Sequence, residues 1–445
     1  MSLEIKLLRW GFIYCREIVG APKTVLWVVL TFFYDLVHGR LNSFYRQVCV
    51  FNLPKKTQRR IMLVSSDNDP GSGAFRCLVS LARTLRDDCH EDVFVVLPSC
   101  GKGDFLLDEA KVPYVCVPSS DWIVSLSDNL PEKAQSVVKP IFRNHFAIRR
   151  LIRLIKELDV DVVHCNTIYT YVGALAAHYC NVPVVWHIRE YITEGAKGRI
   201  SNERMGFELM SKSSCIVTVS DWVRSKYVNI LPVDKLKTVY DGVDSGRFYC
   251  SDHVAGLGNQ MTLISVGSYR PYKGYDRLAR ACAELYKEGV RNFRLWFVGG
   301  GIKEHIGNFF ESAGMVSAVT YLGFQDAPER FVQRADIAFT CCPAEAFGLV
   351  TVEALMSGCC VIGVNAAATP EIVQDLKTGM LFENDNESVE GLKTVVRTLL
   401  ESPALVKKLA NAGREYAVKN FTLELNAFRM RTIYDDVLSA AKDQS

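Results

Sequence analysis

The sequence has little net charge: 52 Lys and Arg stand against 49 Asp and Glu, leaving +3. That gives no strong field for nucleic acid. It also lacks an apolar run of the ~20 residues that a membrane-spanning helix needs. The run TVLWVVLTFFY, 24–34, has eleven residues, ends at Asp35, and is separated from Ile18 by Pro22 and Lys23. No small-residue cleavage site follows it, so it does not read as a secretion signal. There is no Cys-x-x-Cys pair and no zinc-like spacing of Cys with His. The fifteen cysteines are odd in number and scattered, which suits a reducing, cytoplasmic setting. Cys341-Cys342 and Cys359-Cys360 lie inside apolar runs and are expected to fill core space. A Walker-type phosphate loop is missing. So is a complete Gly-x-Gly-x-x-Gly fingerprint, because GSGAFR puts Arg76, and GGGIKE puts Glu304, where the third glycine belongs. Nicotinamide chemistry is therefore not expected.

What is present is a chain of 445 residues, 49% of them hydrophobic, enough for two cores rather than one. The charge is unevenly placed: residues 1–60 hold ten Lys and Arg and three Asp and Glu. Within 1–57, Leu, Trp, Phe and Tyr alternate with Lys6, Arg9 and Arg16. This mixture predicts a helical extension lying on an anionic membrane surface. An ordinary extension packed on the main body is the plainer alternative.

From residue 58 the chain alternates short apolar runs with helical patterns. Strands are expected at 59–67, 92–99, 112–119, 161–166, 182–188 and 214–220, with helices at 74–86, 143–158 and 170–180 between them. The pattern then repeats: strands at 261–268, 293–301, 318–324, 335–342 and 359–364, a helix at 275–289, and a helical stretch at 402–441. Apolar strands alternating with helices imply parallel sheets covered on both faces. The expected architecture is α/β: two doubly wound, Rossmann-like domains facing across a cleft, at 58–250 and 251–420. A C-terminal helix at 421–445 crosses back to the first domain. The turn-rich segment 251–260 is the expected linker.

The segment EAFGLVTVEALMSGCCVIG, 345–363, carries two glutamates with a Gly-Leu step between them. Pro343 breaks the preceding strand and puts Glu345 on a loop at its carboxyl end. Gly348 allows close backbone approach before a helix that begins near Leu349, and free N–H groups at a helix start attract phosphate. Glu353 follows about one turn later. Carboxylates accept well from paired hydroxyls, so this pattern can read a nucleotide sugar from both ends. A solvated loop glutamate and a helix-start glutamate favoured by the dipole are the structural alternative.

The segment resembles the Glu-x7-Glu signature of family 4 retaining glycosyltransferases of the GT-B fold. Other stretches resemble the same family in order: GSGAFRCLVSLARTL (71–85), DVVHCNTIYTYVGALAAHYCNVPVVWHIRE (161–190), VTVSDWVRSKY (217–227), VYDGVDSGRF (239–248), SVGSYRPYKGYDRLARA (265–281), YLGF (321–324) and TPEIVQDLKTGMLF (369–382). The resemblance covers roughly residues 60–435. It implies that Glu345 contacts the donor sugar, Glu353 the ribose, and Lys273, before Gly274, the donor phosphates. Arg270 stands near the position of a second phosphate-binding arginine, which in this chain is Ser268. Gly71 and Gly73 match the glycine turn that faces the diphosphate, His187 the histidine near the reacting sugar. Asn166, Arg189 and Glu190 are acceptor candidates, with a local Arg189–Glu190 ion pair as alternative. Two departures stand out: Asp241-Gly242-Val243-Asp244 where Asn-Gly-Val-Asp is common, and Ala367-Ala368-Thr369-Pro370-Glu371 where Gly-Gly-x-Pro-Glu is common.

The resemblance implies a hexosyltransferase-type enzyme that moves a sugar from a nucleotide diphosphate sugar with retention, with no metal and no cofactor beyond that co-substrate. With the basic, apolar N-terminus it implies a lipid-linked or other glycan acceptor in surface-polysaccharide or glycolipid synthesis, at the inner face of the membrane. A nucleotide-sugar-binding subunit without catalysis is the rival from another class.

Overall fold

The computed structural model describes residues 55–125, 130–193, 198–256, 260–385 and 389–442; the side chains of the helix Leu130–Glu157 are described from Arg143 onward. The expected membrane-associating extension, 1–57, falls almost wholly outside the described residues. Among the described residues no helix is long and apolar enough to cross a membrane.

The chain forms two units. One runs up to Val219 and adds Val223–Val239 and the chain from Ala427 onward; the other comprises Ser220–Trp222 and Tyr240–Asn426. The second unit thus starts ahead of the boundary at 250 that the sequence suggested.

The first unit contains β1 (Arg60–Val64), β2 (Asp92–Leu97), β3 (Tyr114–Cys116), β4 (Ile123–Ser125), β5 (Val162–Asn166), β6 (Val184–Ile188), β7 (Gly198–Ile200), β8 (Cys215–Thr218) and β9 (Leu236–Thr238). Seven of these make one parallel sheet in the order β3-β2-β1-β5-β6-β8-β9, and β4 pairs with β7 in a small antiparallel ribbon. Strands β1 and β5 are buried along their whole length, as expected of a sheet covered on both faces. Helix α1 (Gly73–Asp87) starts where the Ser72 hydroxyl accepts the Phe75 amide, at 3.3 Å. It lays Phe75, Leu78, Leu81, Ala82 and Leu85 on Ile61, Leu63, Val93 and Val95, the spacing of a single apolar stripe. The same core takes Ala427, Met430, Ile433, Tyr434 and Val437 from the C-terminal helix Leu423–Lys442.

The second unit holds β10 (Met261–Val266), β11 (Phe293–Val298), β12 (Val319–Gly323), β13 (Ile337–Thr340), β14 (Cys360–Asn365) and β15 (Gly379–Glu383), all parallel, in the order β12-β11-β10-β13-β14-β15. Helix α2 (Tyr275–Lys287) buries Leu278, Ala279, Cys282 and Leu285 against this sheet, and α3 (Leu349–Met356) links β13 to β14. Cys341, Cys342, Cys359 and Cys360 are free and buried, consistent with their expected role as core filler.

Both sheets reverse strand order at one place. In the first, β1 leads to β2 on one side and β5 lies on the other; in the second, β10 plays the part of β1 and β13 that of β5. Chain leaving two such neighbours turns in opposite directions and opens a crevice at their carboxyl ends, the place where doubly wound sheets bind ligands.

The C-terminal helix is expected to be integral to the first unit. Met430, 0% exposed, should on truncation to Ala cost about 2–5 kcal/mol in the denaturant transition of that unit. A loss under about 0.5 kcal/mol, the range of surface positions, would mean that the helix does not pack as described.

Candidate active site

In the second unit, the chain leaving β10 and the chain leaving β13 carry the residues singled out from the sequence. A short 3-10 turn, Pro271–Lys273, ends on Gly274 at φ +75°, and a Cβ there would meet the Cys341 carbonyl oxygen at 2.3 Å. Only glycine fits both the dihedral and the space, which explains a lysine followed by glycine at this point. The turn is thereby pressed against the end of β13. The Lys273 ammonium donates to the Glu345 carboxylate at 3.0 Å. Gly348, at φ +102°, opens α3; the Thr351 amide turns back to the Gly348 carbonyl at 2.9 Å, and the amides ahead of it point out of the helix start. Glu353 is half-buried on the same helix.

The ion pair is partly exposed on both sides. Burial works against the Lys273 charge, but the Glu345 carboxylate outweighs it and the lysine pKa is raised. Partly exposed pairs contribute only about 0–1 kcal/mol, so a group with greater negative charge can take the ammonium over. Arg270 stands apart from this pair: it is exposed, and its guanidinium reaches the Tyr269 carbonyl at 3.3 Å. Ser268 is exposed as well.

In the first unit the corresponding crevice lies beyond β1, β5 and β6. Asn166 and His187 are paired residues of neighbouring parallel strands, so their side chains share a face. Period-two alternation extends that face from Val162 through His164 to Asn166, and from Val185 through His187 to Arg189. The apolar core therefore turns polar at its carboxyl edge. His164, Asn166 and His187 are fully buried and Arg189 nearly so. Asn166 donates to the Ala74 carbonyl in α1 at 3.1 Å and accepts from Arg189 Nε at 2.5 Å. Arg189 Nη2 lies 3.4 Å from His187 Nδ1. His164 Nδ1 lies 2.7 Å from the Tyr434 hydroxyl, on the C-terminal helix. The Nε2 atoms of His164 and His187 are buried and without a hydrogen-bond partner among the described residues, a state that costs about 1–3 kcal/mol for a donor. Glu190 Oε1 accepts the Ile168 amide at 2.7 Å.

Burial decides the protonation states. It lowers His164 to about 3, with Arg189 adding to the effect. It lowers His187 well below the ordinary imidazole value, with Arg189 and His164 adding. Both rings are neutral near pH 7. Burial raises Glu190 to about 7, against the opposing pull of the Ile168 amide and Arg189.

Gly71 and Gly73 sit, exposed, at the turn after β1. The Gly71 amide donates to Asp69 Oδ1 at 2.9 Å, and Gly73 begins α1. The turn contains an Asp-x-Asp pattern, Asp67-Asn68-Asp69. Its carboxylates face the turn itself: Asp67 Oδ1 accepts the Asp69 amide at 3.1 Å and Oδ2 the Ser72 hydroxyl at 3.2 Å. Among the described residues no three His, Cys, Asp or Glu side chains form a metal-binding group.

Three features had no voice in the sequence reading. Tyr434 meets His164 from 270 residues away, a contact no local pattern announces. Thr167 holds φ +81° while 2% exposed. That dihedral is strained for a β-branched residue, and the hydrogen bond that the Thr167 N–H donates to the His187 carbonyl, 2.8 Å, helps hold it. Asp67 is buried enough for its pKa to be raised; its neighbours Pro70 and Gly71 marked only a turn.

Two doubly wound parallel-sheet units, each with its polar residues at the strand-order reversal, define a GT-B type protein. Models of two families match the chain: Glycosyltransferase Family 4 over residues 71–247 and Glycosyl transferases group 1 over 254–416. The chain belongs to the family 4 glycosyltransferases. It is 29% identical over 222 residues to a D-inositol 3-phosphate glycosyltransferase of Rhodococcus jostii, covering 45% of this chain and 48% of that protein. It is 26% identical over 246 residues to a GDP-mannose-dependent alpha-(1-6)-phosphatidylinositol monomannoside mannosyltransferase of Mycolicibacterium smegmatis, covering 51% and 64%. The matches thus span about half to two thirds of those relatives. Among solved structures, Anabaena Alr3699/HepE in complex with UDP and glucose shares the fold, with TM-score 0.69, 19% identity, and coverage of 85% of this chain and 100% of that one.

Glu190 yields a pH prediction. The folded state keeps its proton up to about 7, whereas an ordinary glutamate releases it near 4.5. The folded state then binds more protons through that window, so stability falls as pH rises across it. Glu190→Gln removes the titration and keeps an acceptor for Ile168. Its thermal midpoint relative to wild type should rise between pH 5 and pH 8. An unchanged difference would mean that Glu190 titrates as an ordinary carboxylate.

Proposed function

We propose that the protein transfers a hexose from a nucleotide diphosphate sugar to a glycan or lipid-linked acceptor with retention at the anomeric carbon. The observation that carries the donor half is the Lys273–Glu345 pair, 3.0 Å apart, beside the glycine-started helix α3. Without donor, Glu345 neutralises Lys273. With donor, the diphosphate takes the ammonium and the Gly348 and Leu349 amides, and Glu345 is released to accept from sugar hydroxyls. Glu353 accepts from the ribose, and Arg270 swings in as a second cation. Gly71 and Gly73 let the backbone approach the diphosphate, and His187 meets the sugar.

In the transfer, the bond from the anomeric carbon to the leaving phosphate oxygen breaks and its electron pair stays with the diphosphate. The acceptor oxygen bonds the same face of that carbon, and its proton passes to the leaving oxygen. Lys273 and the helix amides stabilise the charge that grows there, so the proposal requires neither a metal nor a further cofactor. The Mycolicibacterium smegmatis relative, described as acting on a phosphatidylinositol monomannoside, supports an acceptor in glycolipid synthesis. The basic, apolar composition of 1–57 supports attachment to the inner face of an anionic membrane.

Lys273→Ala and Glu345→Ala should each lower turnover by about tenfold or more while leaving the unfolding midpoint of the free protein nearly unchanged, with EDTA having no effect on the wild type. Near-normal transfer in either variant removes that residue's role.

A further inference from the structure

The geometry points to Arg189 and Asn166 as positioning residues that hold His187 in the tautomer carrying its proton on Nε2. A guanidinium nitrogen donates and never accepts. Arg189 Nη2, 3.4 Å from His187 Nδ1, therefore needs a bare Nδ1. A neutral imidazole with a bare Nδ1 carries its hydrogen on Nε2.

Arg189 is itself held. Its Nε donates to Asn166 Oδ1 at 2.5 Å, and the amide of Asn166 is oriented by donation to the Ala74 carbonyl at 3.1 Å. That second bond fixes which end of the Asn166 amide faces the arginine. The relay thus runs from the α1 backbone through Asn166 and Arg189 to one nitrogen of one imidazole. It joins β5, β6 and the start of the helix that follows the Gly71–Gly73 turn.

The relay leaves one group without a protein partner: His187 Nε2, buried and unbonded among the described residues. In the inferred tautomer this atom is a donor. It suits an oxygen acceptor of a substrate, such as a sugar hydroxyl. The groups around the ring agree with a neutral state, since Arg189 and His164 disfavour a further positive charge, as does burial. Arg189 and Asn166, acceptor candidates on sequence grounds, thereby act through His187 rather than on the acceptor. The inference rests on the proposed role of His187 at the reacting sugar, but the tautomer is a property of the unliganded protein.

Nitrogen-15 NMR of histidine-labelled full-length protein reads it directly, with His187→Gln identifying the signals. The expected wild-type result is a neutral His187 with a bare Nδ1 and a protonated Nε2. A proton on Nδ1 overturns the proposal. In Arg189→Met the two tautomers should mix and kcat should fall about tenfold with donor KM little changed; Arg189→Lys, which keeps a donor, should restore both in part. An unmixed tautomer in a folded Arg189→Met also overturns it. If instead His187→Ala transfers sugar normally, the role given to His187 at the sugar fails while the tautomer result stands, so the two claims fail separately.

Discussion

Strand order is the constraint on which the rest depends. In each unit a central strand sends its chain one way while its neighbour sends it the other, and right-handed crossovers leave helices on both faces. Apolar side chains make up most of the core below the carboxyl ends. The polar residues of the candidate site gather at the carboxyl ends of β1, β5 and β6 in one unit and beyond β10 and β13 in the other. The residues proposed to touch substrate lie on chain leaving the sheets' carboxyl edges or, for His187, at the carboxyl end of β6 itself.

The two clusters are built on opposite electrostatic terms. In the second unit a partly exposed lysine and glutamate neutralise each other. Their attraction is weak because water screens it, which suits a pair that must separate when a diphosphate arrives. In the first unit the groups are buried, and desolvation governs them: His164 and His187 stay neutral and Glu190 holds its proton near neutrality. Hydrogen bonds set direction there, and the network through Asn166 and Arg189 is tied to the backbone at the Ala74 carbonyl. One cluster is made to exchange partners, the other to stay as it is.

The sequence made most of the described strands legible because they are short apolar runs bounded by turn residues; β4, β7, β9 and β15 lie outside the expected set. It made Lys273 and Glu345 legible because glycine and proline beside them punctuate strand ends. Gly274 shows why: its dihedral and its contact with the Cys341 carbonyl leave no room for a side chain. Other parts were hidden for physical reasons. The ribbon of β4 and β7 consists of three-residue strands joined across long sequence separation, too short for periodicity to register. Thr167 adopts a strained dihedral with no glycine or asparagine to announce it. The partners of His164 and Arg189 were invisible, because a single buried residue's hydrogen bonds depend on which strands lie side by side.

The central claim is that the second unit's carboxyl-edge cluster is a nucleotide-sugar site centred on Lys273. The most direct test is the thermal unfolding midpoint of wild type and Lys273→Ala against UDP, GDP and ADP. A ligand at about one hundred times its dissociation constant adds about 2.7 kcal/mol of stability. The account predicts that one nucleotide raises the wild-type midpoint and that Lys273→Ala loses the gain. No response to any of the three, or an equal gain in the variant, would contradict it.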